Sequence, residues 1–120
     1  MNWQFLTIWD LTREERNPLY AAWLSWAVDL LRSEGAMERE QFGEPCLIAN
    51  LGEAVRVCAC AEDAPNLNGK VDPPRLFWEL VRIGVVFPDR ITLPGHGRML
   101  FTAFRLNAIE AFCRENGETT

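Results

Sequence analysis

The sequence predicts a mainly α protein, a compact bundle of about four to five helices, with α+β as the alternative class if residues 2–10, 53–60 and 90–93 supply a small β element. Three segments carry the prediction. Asn17–Gly35 opens on an N-cap residue followed by proline and closes on glycine. Between them, apolar residues surround a narrow polar stripe of Ser25, Asp29 and Arg32. Residues 73–84 repeat the logic: Asp72 as cap, Pro73 at the first helical position, Leu76, Phe77, Leu80 and Ile83 on one side, and Gly84 as the stop. Arg98–Asn116, stopped by Gly117, sets Arg98, Thr102 and Arg105 against two apolar faces.

Taken in order, residues 2–10 are rich in aromatic and β-branched types and read as a strand, with a first helix over the same residues as the alternative. Thr12 to Glu15 has the spacing of a capping box. Pro18 would fall inside a long helix begun there, so a short helical turn before the main helix is expected. After Gly35 the charged residues as far as Gly43 suggest a short exposed helix. Residues 45–61 favour helix, with a strand after Gly52 as the alternative. Residues 62–74, dense in Asn and Pro, are a loop, and residues 85–97 are extended, with 90–93 as a short strand.

The chain of 120 residues fits one domain spanning 1–120. Its net charge is −5, it has one lysine, and it shows no basic run. Direct nucleic-acid binding and attachment to an anionic membrane are therefore disfavoured. With no secretory leader pattern and no long apolar run, a cytoplasmic protein is expected, and the four cysteines default to buried, reduced thiols.

Catalytic and metal-binding patterns are thin. Cys58 and Cys60 are separated by one residue, where zinc knuckles use two to four, so no metal and no cofactor is expected. Neither serine lies in a nucleophile motif, no catalytic residue is assigned, and an enzyme is not favoured. The one chemical candidate is Gly95, His96, Gly97 and Arg98. These glycines and cationic residues, placed before an expected helix N-terminus, would suit an anion.

Two observations point instead to a protein partner. Five tryptophans are many for this length; Trp26 lies nearest a polar edge, and Trp26 or Trp9 is the one expected to be exposed for a partner. Glu34, Glu38, Glu40 and Glu44 form the most acidic stretch. It reads as a solvated face or as a complement to a basic protein surface. The expected function is therefore non-enzymatic binding of another protein, with homodimerisation as one way to cover apolar surface. By analogy of type, the role is that of a phage- or mobile-element-encoded inhibitor of a host nucleic-acid-targeting system. The alternative is an anion- or small-ligand-binding protein or enzyme built on Gly95–Arg98.

Overall fold

The computed structural model describes residues 8–60 and 73–117. Ile8–Asp10 form a 3-10 turn and Thr12 then starts helix α1, Arg13–Ser33. The capping box is real: the Glu15 N–H donates to Thr12 Oγ1 at 3.2 Å and the Thr12 N–H donates to Glu15 Oε1 at 2.9 Å. The expected start at Asn17 is thus corrected. Pro18 lies inside the helix on its exposed side, where solvent replaces the missing donor to the Glu14 carbonyl. Asn17, no longer a cap, has its Oδ1 buried without a partner.

Gly35 ends α1 as anticipated. Its φ of 84° lets its own N–H reach the Arg32 carbonyl and the Ala36 N–H reach the Leu31 carbonyl. The same closure recurs at Gly84, where the Val85 N–H reaches the Leu80 carbonyl and ends α3, Pro73–Arg82. Asp72, the expected cap of α3, and the loop 61–72 lie outside the described residues, as does most of the expected strand over 2–10.

The mainly α expectation is overturned between these helices. Residues 37–49 form a hairpin, β1 Met37–Gln41 and β2 Glu44–Ala49, where two helical segments were expected. Strand β3, Thr102–Arg105, replaces the first half of the expected last helix, leaving α4 as Leu106–Asn116. The class is α+β: the described residues form four helices and one antiparallel sheet in the order β1-β2-β3. The β segments anticipated elsewhere are corrected too. Residues 53–60 belong to α2, Leu51–Cys60, and within 90–93 only Ile91 forms an isolated bridge, to Phe101.

Burial explains the sheet. Cys46, Leu47, Ile48 and Ala49 are buried in succession, which requires cover on both faces of β2. The helices supply one cover: Leu47, Ala49 and Phe104 join Tyr20, Trp23, Leu24, Phe77, Leu80 and Ile109 in the main core. The other cover is the chain from 87 to 101, which packs Leu93 and Phe101 on Cys46, Ile48 and Ala103. Each fully buried leucine or phenylalanine in these layers contributes about 1.5–3 kcal/mol by leaving water.

Candidate interaction edge

The two edges of the sheet differ. Outside β3 the chain 85–91 runs alongside: the Arg105 N–H donates to Val85 O at 2.8 Å, the Phe87 N–H to Ala103 O at 3.1 Å, and Ile91 and Phe101 exchange two bonds. Outside β1 no strand pairs among the described residues.

The hairpin fixes what that open edge presents. Phe42 and Gly43 form a two-residue turn with φ of 53° and 85°, the sign pattern of a type I′ turn. The flanking residues Gln41 and Glu44 are then a hydrogen-bonded pair, and alternation gives Arg39 with Cys46 and Met37 with Ile48 the same status. The main-chain groups of Glu38 and Glu40 therefore point outward. Two facts agree with this phase. Ala103 and Arg105, opposite Ile48 and Cys46, direct their groups away from β2 toward 85–87. Pro45, opposite Glu40, aims its missing N–H past the end of β3.

Side chains follow the same alternation. Glu38 lies opposite Leu47, so Glu38 and Glu40 belong to the helix-side face. Both are exposed. Glu38 pairs with Arg32, and Glu40 has no ion pair among the described residues. On the opposite face Arg39 donates to Gln41 Oε1 at 3.0 Å and to Met37 Sδ at 3.6 Å, which lays it along the strand. Met37 and Phe42, 45% and 48% exposed, flank the edge at its two ends. Phe42 holds a backbone conformation that favours Asn or Gly, and its ring meets Phe87 edge-on at 4.9 Å.

The residues singled out from sequence separate into groups. Glu38 and Glu40 come together on the edge, and Glu34 is exposed just upstream at the end of α1. Glu44 faces the other way, held by Arg105 at 2.8 and 3.2 Å. Trp26 packs against the main core. Trp9 lies on the 3-10 turn under the Arg75 guanidinium at 4.0 Å, so neither tryptophan is on the sheet edge. Met37, Phe42 and the open edge itself were not anticipated. The available signal was the period-two alternation of Glu38 and Glu40 with Met37, Arg39 and Gln41.

Gly95, His96, Gly97 and Arg98 form exposed turns, with φ of 82° at Gly95 and 61° at Gly97. The helix they were expected to open begins only at Leu106, which removes the N-terminal dipole from that loop. His96 instead sets its ring edge-on to Phe101 at 5.2 Å.

Burial pushes the Cys46 thiol above its ordinary value, with the Glu44 charge adding to it. Burial alone raises Cys113, so both thiols are held protonated. Among the described residues no group of three His, Cys, Asp or Glu side chains is placed to hold a metal, and no helix is long and apolar enough to cross a membrane. No family model, curated protein or solved structure matches this chain.

Proposed function

We propose that the protein acts without catalysis, by taking an extended basic segment of another protein as a further strand on β1. The observation that supports this is the outer edge of β1. There the outward main-chain groups of Glu38 and Glu40 alternate with inward-bonded neighbours, and their two carboxylates share one face. A segment with lysine or arginine at alternate positions meets both demands at once. Each opposite-charge pair adds about 0.2–1 kcal/mol and each main-chain hydrogen bond about 0.5–1.5 kcal/mol.

A second copy fits this edge poorly. Antiparallel pairing that keeps faces matched sets Glu38 against Glu38, Glu38 against Glu40, or Glu40 against Glu40. The homodimer reading is therefore not favoured at β1. Inhibition is the biological role we attach to the proposal. Basic segments are common in nucleic-acid-binding proteins. A phage- or mobile-element-encoded protein that captured one in the cytoplasm would block a host nucleic-acid-targeting system.

The test is a labelled Lys-Val-Lys-Val-Lys peptide titrated by fluorescence anisotropy. Binding that weakens with salt and falls at least about tenfold in Glu38→Lys/Glu40→Lys is expected. A peptide with N-methylated lysine amides keeps the charge and loses the donors. If it binds as well as the parent peptide, strand addition is wrong.

A further inference from the structure

A second recess, apart from the β1 edge, brings a different chemistry together. An open pocket of about 220 Å³ lies where the start of α2 meets β3 and the preceding chain; Leu51, Gly52, Arg90, Leu100 and Thr102 line it. Asn50 caps α2: its Oδ1 accepts the Glu53 N–H at 2.8 Å, and its Nδ2 donates to Leu100 O at 2.9 Å, tying the loop to the cap. The Ala54 N–H is taken by Asn50 O at 2.9 Å, which leaves the Leu51 and Gly52 N–H groups of this first turn without a partner among the described residues, at the positive end of the helix dipole. A Cβ at Gly52 would come within 3.3 Å of Asn50 Oδ1, so glycine keeps the cap and the pocket mouth uncrowded.

Two further residues with side-chain donors line the same space. The Arg90 guanidinium lies 4.3 Å from the Phe77 ring centre, and it has no ion pair among the described residues. Among the described residues Thr102 is the one buried polar residue of the core, 3% exposed, it lines the pocket, and its hydroxyl has no hydrogen-bond partner among them. A hydroxyl that is open to the pocket and has no protein partner can donate to a ligand oxygen without giving up an existing bond. Among the described residues no carboxylate lines the pocket.

We infer that this pocket binds the phosphate group of a small phosphomonoester. Two main-chain N–H groups, a guanidinium and a hydroxyl converge from different elements, which suits the several oxygens of a tetrahedral dianion better than the two of a planar carboxylate. Leu51, Leu100 and Pro74 offer apolar contact to a short carbon skeleton, and 220 Å³ is too small for a large ligand.

Isotope-labelled protein titrated with inorganic phosphate, glycerol phosphate and lactate at constant ionic strength tests this. Saturable shifts of the Leu51 and Gly52 amides are expected with both phosphates, tighter for glycerol phosphate, and weak with lactate. Arg90→Gln and Thr102→Val should each weaken binding about tenfold. The melting temperature of Thr102→Val should stay close to the parent's, because the swap keeps the side chain's shape and breaks no hydrogen bond. Absent saturable shifts at Leu51 and Gly52, equal response to lactate, or parent-like binding in both variants would overturn the assignment.

Discussion

Glu79 shows how a single side chain can join two helices. Its carboxylate accepts the Tyr20 hydroxyl at 3.1 Å, lies 3.3 Å from the Arg16 guanidinium, and takes both nitrogens of Arg82 at 3.2 Å, tying α1 to α3. Burial raises the carboxyl, but hydrogen bonds from Arg82 and Tyr20 and the charges of Arg82 and Arg16 outweigh it and hold Glu79 below the ordinary range. Burial, then the Glu79 charge and hydrogen bond, push Tyr20 the other way, from 10.0 up to about 12. The phenol's contribution is complete below pH 10.0, where both states are protonated, and is lost as pH rises through about 12. Stability should therefore fall by about 2–3 kcal/mol across that window, and Tyr20→Phe should flatten the fall while costing about 1 kcal/mol at neutral pH. Denaturant melts at stepped pH check this, and tyrosinate absorbance is unambiguous because the chain has one tyrosine. Sequence showed Tyr20 and Glu79 only as members of two separate helices. Their partnership depends on how α1 and α3 pack, which periodicity does not encode.

Helix ends were legible where chemistry is local and illegible where neighbours decide. Gly35 and Gly84 stop their helices because positive φ suits glycine, and the Thr12 to Glu15 spacing marks a real cap. Pro18 misled because its cost depends on which side of the helix it takes. It is exposed, so α1 runs through it. Pro18→Ala should restore the bond to the Glu14 carbonyl and raise stability by about 1–3 kcal/mol in thermal melts. An unchanged or lower melting temperature would show that the proline is already accommodated without loss. Strands β1 and β3 were missed for opposite reasons. Met37–Gln41 is composed of good helix formers and is held extended by its ladder to β2, while Thr102–Arg105 is a short buried run that periodicity cannot separate from a helix.

Across the whole molecule the helices cover one face of the sheet and the chain from 87 to 101 covers the other, while 85–91 seals the outer side of β3. Among the described residues that leaves the β1 edge unpaired, and its acidic residues were visible in the sequence only as a charged run. Whether a strand is an edge depends on what lies beside it, a property of the assembled sheet. The same assembly places Gly95–Arg98 in exposed turns that open no helix, because the last helix begins only at Leu106. The most direct test of strand addition is amide hydrogen exchange at Glu38 and Glu40, with and without the Lys-Val-Lys-Val-Lys peptide. Strand addition predicts that these two outward amides, fast-exchanging in the free protein, slow markedly when the peptide is bound, while Met37, Arg39 and Gln41 change little. Exchange at Glu38 and Glu40 that stays fast in the saturated complex would contradict it.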